Sequence, residues 1–254
     1  MIGASPRHPL QTATPALAAS NAAAWCPPAL TNAPPVAGQW ALPVAGALLV
    51  ALPVFLQAPW VRLAPFSAAL FTALLLLAGV GLAQQRSTAW STAGVLLVGF
   101  SGSWLGGCLF WGWFRLHPLW HLPIEAFALP LAVAGLGGRW RLAGSFYLAS
   151  LAGTACTDAV MAITGVMQSW IQVLEAPLDQ AALELQRAAL GVLAPLPLLA
   201  TLIAAVLLIQ QCRRFWHHPD PAWRLAASAI ATTLAVDGLF LAAALWAPQL
   251  SGLI

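Results

Sequence analysis

The chain has 254 residues, of which 61% are apolar and only 7% charged, with ten basic residues, all arginine, and a formal net charge of +3. That composition excludes a soluble domain, and the few scattered arginines exclude a nucleic-acid-binding stripe. The missing lysine also excludes a retinal Schiff base and the P-loop GxxxxGK[ST], and so a nucleotide-driven motor.

A hydrocarbon core of roughly 30 Å needs about 20 apolar residues per helix. Runs of that length fill the sequence from Trp40 almost to its end. In lipid each spanning segment closes its own backbone hydrogen bonds, so the fold expected is an all-α polytopic transmembrane helical bundle. In chain order, residues 1–37 form an Ala/Pro-rich tail without helical periodicity, expected to be disordered, and they lack the pattern of a secretory signal. Residues 38–254 form the transmembrane domain, with spans at about 39–57, 65–83, 90–114, 119–136, 143–166, 190–211 and 223–247. That makes seven, or six if 119–136, which holds Pro123, Pro130 and Glu125, is re-entrant.

Tryptophan favours the headgroup level of a bilayer. Trp40 and Trp60, Trp90 and Trp111, and Trp223 and Trp246 bracket three spans, while Trp104 alone falls mid-span. Cys26, Cys108, Cys156 and Cys212 are far apart and form neither a disulfide framework nor a zinc pattern. The long connection 167–189 carries Glu175, Asp179 and Glu184. Pro177 opens a helix there, with Leu178, Ala182, Leu185, Ala189 and Val192 on one apolar stripe and Glu184 and Arg187 on the wetter side, which reads as an amphipathic helix on the membrane surface or a docking element.

Arginine collects on the cytoplasmic side. With seven spans, Arg7, Arg86, Arg139, Arg141, Arg213, Arg214 and Arg224 share one side against Arg62, Arg115 and Arg187, so the N-terminus is expected in the cytoplasm. With six, the N-terminus is outside. The Arg213–Arg224 loop is cytoplasmic either way, and its His217 and His218 add to a patch facing anionic headgroups.

A carboxyl inside a bilayer costs at least about 2.5–3.5 kcal/mol on insertion scales and so needs a reason. Glu125, Asp158 and Asp237 are such groups. Thr154 precedes Asp158 by four residues and Thr233 precedes Asp237 by four, a spacing that puts hydroxyl and carboxyl in mutual reach on one helical face. If the two faces meet they form a polar pocket, either a proton or solute site or a packing network. His117, His121 and Glu125 share a face if the helix is continuous across Pro118 and Pro123. With Arg115, the two histidines read as an interfacial cluster, a proton relay, or a metal or chlorophyll ligand set. HExxH and GxSxG are absent, so no metal site and no catalytic residue is assigned, and no cofactor is named. Gly99, Ser103 and Gly107 form a small-residue stripe for close helix approach, within the chain or in a homodimer.

The segments GGCLFWGWFRLHPLWHL (106–122), PIEAFALP, RWRLAGSFYLAS and TDAVMAITGV resemble a cyanobacterial membrane family, domain of unknown function 3120. The resemblance covers most of the chain after about residue 38. It implies a plasma-membrane or thylakoid protein and brings no activity with it. Two function classes follow: a non-enzymatic scaffold or assembly factor of the photosynthetic membrane, partnered by lipid and a photosynthetic complex, or a small proton-coupled permease using Asp158 and Asp237. An enzyme of lipid metabolism would want paired acids to hold Mg-diphosphate, and none are clustered in the loops.

Overall fold

The structure is a computed structural model and describes residues 40–250, the side chains of 178, 179 and 250 excepted. The expected disordered tail, with Arg7 and Cys26, lies outside the described residues. Every element among those residues is helical. Six helices are long and apolar enough to cross a membrane: α1 (Ala41–Leu63), α2 (Pro65–Ala83), α3 (Thr88–Phe114), then, after a broken segment, α6 (Arg141–Thr164), α9 (Pro195–Trp216) and α10 (Pro221–Trp246). The broken segment is a 3-10 turn at Pro118–Trp120, α4 (His121–Glu125), a second 3-10 turn at Ala126–Ala128 and α5 (Leu129–Gly135). Between α6 and α9 lie α7 (Val166–Glu175) and α8 (Leu178–Val192).

Several boundaries differ from the sequence reading for local reasons. The first span runs on to Leu63 because a π-helical turn at Pro53–Gln57 absorbs Pro53, whose ring blocks a regular i→i−4 bond. The sixth starts at Pro195 rather than near 190, since α8 extends to Val192 and a proline is well placed at a first helical position. α6 stops at Thr164, where Gly165 adopts φ +80°, a left-handed conformation that suits glycine, and α7 starts in a new direction.

Direct contacts fix the direction of each element. Trp40, where α1 begins, stacks near Trp216 with ring centroids 5.6 Å apart, at the turn that leads into α10; call this the near face. An ideal Cβ on Gly46 would lie 2.9 Å from Leu225 of α10. Gly99 abuts Ala143 and Gly102 abuts Tyr147, so α3 and α6 run parallel, both leaving the near face. Gly153 packs on Thr233, and Thr157 bonds Asp237, so α6 and α10 are parallel too. The segment 118–135 pairs antiparallel with α6, from His121 beside Asp158 to Ala132 beside Gly144. Two parallel helices joined this way require the chain to travel back between them. The segment therefore returns to the near face, giving seven passes in which the fourth is short and broken.

Tyr147 explains how the break is tolerated. Its buried hydroxyl accepts from Ala128 N at 3.1 Å and donates to the Glu125 carbonyl, serving two backbone groups where the helix is interrupted. On this path Arg86, Arg139, Arg141, Arg213, Arg214 and Arg224 gather at the near face and Arg62, Arg115 and Arg187 at the far one. Arg141 pairs with Asp220 across the near face, and Asp220 also caps α10 by accepting from Ala222 N at 2.9 Å.

The tight core comprises Leu96, Phe100, Phe146, Leu225 and Ala229 toward the near face, continuing along the α1–α3 seam through Val61, Trp104 and Cys108. Trp104, mid-span as expected, is buried and donates to the Ala68 carbonyl at 2.9 Å. Phe66, Leu70, Leu74 and Leu77 form an exposed stripe on α2, and Leu196, Leu199, Ile203 and Leu207 form one on α9, as lipid-facing helices require.

Candidate functional site

Toward the far face the helices surround a cavity of about 1010 Å³, walled by α1, α3, α4, α6, α9 and α10 and roofed by α7 and α8. Phe55 and Leu239 on its wall are each more than half exposed, so it is open. The roof is tied down at its edges. Trp170 of α7 donates to the Arg115 carbonyl at 2.8 Å, and Gln186 of α8 donates to the Leu245 carbonyl at 2.9 Å. Of the expected stripe on α8, Ala189 and Val192 are buried, and Ala181, outside that stripe, is buried as well. The side chain at 178 is not described.

One wall carries the polar groups. α4 is a single turn, and it sets His121 and Glu125 four residues apart on one face, with Nε2 3.3 Å from Glu125 Oε1. Nδ1 of the same ring lies 2.9 Å from Asp158 Oδ1 on α6. A neutral imidazole has one N–H, so contact with a carboxylate at both nitrogens requires either the doubly protonated ring or a proton on one carboxyl. Phe110 lies against the imidazole with centroids 4.1 Å apart. Thr154 Oγ1 donates to Glu125 Oε2 at 2.9 Å, and Thr157 Oγ1 donates to Asp237 Oδ2 at 2.6 Å.

The pairing expected from sequence is thus replaced by another. Thr154 does not serve Asp158, nor Thr233 Asp237. Thr233 donates to the Ala229 carbonyl one turn back, the usual habit of a helical threonine, and its body fills the space beside Gly153. Thr154 and both aspartates turn across to neighbouring elements. Thr154, Asp158, Thr233 and Asp237 all line the cavity, with Glu125 and His121.

The interfacial cluster divides. Arg115 and His117 are exposed in the far-face turn, where Arg115 reaches the rim of the cavity, while His121 goes inside. His117 is not on the face of His121 and Glu125, because the chain between is a 3-10 turn that opens at Pro118. Among the described residues no group of three or more His, Cys, Asp or Glu is arranged to hold a metal.

The small-residue stripe is filled within the chain. A Cβ on Gly99 would come within 2.6 Å of the Ala143 carbonyl oxygen and one on Gly107 within 2.9 Å of Gln57 Oε1, while Ser103 faces the cavity. Gln57 and Thr157 were not singled out by sequence. Gln57 is buried and donates to Cys108 Sγ at 2.9 Å and to the Trp104 carbonyl. Its signal was a polar residue inside an apolar run, masked because Pro53 and Pro59 made the run look finished.

Residues 46–245 match the profile of the family described as Protein of unknown function (DUF3120), and the chain belongs to that family. No curated protein matches the chain, and no solved structure does.

Proposed function

We propose that this member of a family of unknown function is a small proton-coupled secondary permease, with the far-face cavity as its solute site. The observation that carries the reading is the placement of His121, Glu125, Asp158 and Asp237 together on the wall of one open cavity at bilayer depth. Asp158 lies six residues before the end of α6 and Asp237 nine before the end of α10, roughly 9 and 14 Å inside at 1.5 Å per residue. Charge placed that deep is costly and marks ion or substrate paths. A packing network would fill its space with side chains. A broken helix lining a cavity between long ones is also the way transporters present irregular backbone to a solute.

The near face, with its arginines, is the cytoplasmic one in this proposal, so the 213–224 loop is cytoplasmic and the cavity faces outward. On the family resemblance, the membrane is the plasma membrane or thylakoid of a cyanobacterium. The test is two-sided access. Thr201, on the cavity wall, is changed to Cys with the four native cysteines replaced by Ser, and an impermeant thiol reagent is applied to each side of oriented vesicles. A permease is labelled from the far face and, in its other state, from the near face, with the balance moving with pH. Labelling from the far face alone at every pH, with a photosynthetic complex co-purifying in stoichiometric amount, supports the scaffold role instead.

A further inference from the structure

We infer that the solute is a lipophilic organic cation, an assignment that rests on the permease reading above and names its substrate class. The cavity has two chemically distinct regions. Much of its wall is aliphatic, with Leu49, Val54, Val160, Leu208 and Leu234 among the lining residues. Its volume stands at the upper end of the roughly 300–1,000 Å³ of small-molecule sites, so a water-filled pore for a small ion would leave a large apolar surface wet without purpose.

The deep polar end is rich in acceptors. Three carboxyls, Glu125, Asp158 and Asp237, line it together with one imidazole, His121. A carboxylate has about four lone-pair sites. The side-chain donors found are His121 for Asp158, His121 and Thr154 for Glu125, and Thr157 for Asp237. Three carboxyls against one imidazole leave acceptors in excess of donors at this end, whichever group holds the proton. A ligand bringing positive charge and N–H donors complements it, whereas a carboxylate or phosphate would bring more acceptors.

A second feature points the same way. Phe110 packs on the His121 imidazole, and Trp111 and Trp170 line the cavity between it and the far-face rim, their indoles 5.6 Å apart by centroid. Aromatic faces next to carboxylates recognise ammonium-type cations by cation–π attraction. Arg62 and Arg115 also line the cavity, but at its far-face end, beside the ends of α1 and α3. An anionic amphiphile would be held at that rim, head outward, and would be indifferent to the deep carboxyls.

That difference supplies the test. Intact protein in phosphatidylcholine nanodiscs is titrated with ethidium, an aromatic cation bearing two amino donors, and separately with the anion anilinonaphthalene sulfonate, reading fluorescence polarisation against empty discs. Ethidium is expected to bind saturably at one per protein, with affinity at least tenfold weaker in Asp158→Asn/Asp237→Asn and unchanged in Glu184→Gln on the outer surface of α8. Ala205→Phe, which fills the apolar wall without altering charge, should also weaken binding and guards against misfolding of the double variant. Ethidium behaving as in empty discs, equal affinity in all variants, or tighter anion binding insensitive to the aspartates would overturn the inference. Saturable ethidium binding with one-sided Thr201→Cys labelling would retain the cation site and overturn the permease. Two-sided labelling without cation binding would do the reverse.

Discussion

Removal of the single hydroxyl of Tyr147 should loosen the whole polar wall of the cavity. In Tyr147→Phe the ring remains in its buried place between α3 and the broken segment, and only the oxygen is lost. Two backbone groups lose their partner: the N–H of Ala128, 3.1 Å from that oxygen, and the carbonyl of Glu125. A buried polar group left unsatisfied costs about 1–3 kcal/mol. Polar pairs in membrane bundles have measured closer to 0.6 kcal/mol, with a maximum near 1.7. Two groups partly relieved by direct bonding between them give an expected loss of about 1–2 kcal/mol. For a chain of this size that is a fall in melting midpoint of about 2–8 °C. The assay is reversible unfolding in mixed micelles, followed by helicity, with ethidium binding measured on the folded protein. Because Glu125 belongs to the segment that Tyr147 clamps, the affinity should drop with the stability. A variant within about 0.3 kcal/mol of the parent, with the site intact, would refute the clamp.

Seven passes place Gln85 and Gly138 on one side and Leu116 on the other, so single cysteines at the first two should react with an impermeant reagent from the same side. Reaction of Gly138→Cys with Leu116→Cys, and not with Gln85→Cys, would mean that 118–135 does not cross. Gly99→Val should prevent α3 and α6 from closing, since even a Cβ meets the Ala143 backbone at 2.6 Å, whereas Gly81→Ala meets nothing within 4 Å and should leave expression unaltered. Asp220→Ala removes an N-cap worth about 0.5–2 kcal/mol and should lower stability by that much, while Arg141→Gln, its half-exposed partner, should cost less than about 1 kcal/mol.

Much of the bundle was legible because membrane spans are written in long apolar runs, and the near-face arginines followed from the same reading. The fourth pass was recognisable as irregular from Pro123 and Pro130. Its direction was not, because crossing depends on Tyr147 and Gly144 of a helix later in the chain. Asp158, Asp237 and Glu125 stood out as polar residues where water is absent. Their partners could not be read, since i,i+4 spacing describes one helix while these carboxyls turn outward to others. His121 and His117 looked alike in sequence. Only the 3-10 turn at Pro118 separates a cavity residue from an exposed one. Gln57 was hidden by prolines that ended the run on paper but not in space.

The most direct measurement of the central claim is coupled flux. Vesicles holding the purified protein are loaded at acid pH with a trapped pH indicator and placed in neutral buffer containing ethidium. Proton-coupled exchange predicts that ethidium accumulates while the interior loses acid in step, that both halves vanish in Asp158→Asn and His121→Ala, and that Glu184→Gln behaves as the parent. Ethidium entry no faster than in protein-free vesicles, entry without proton movement, or equal rates in Asp158→Asn would contradict it.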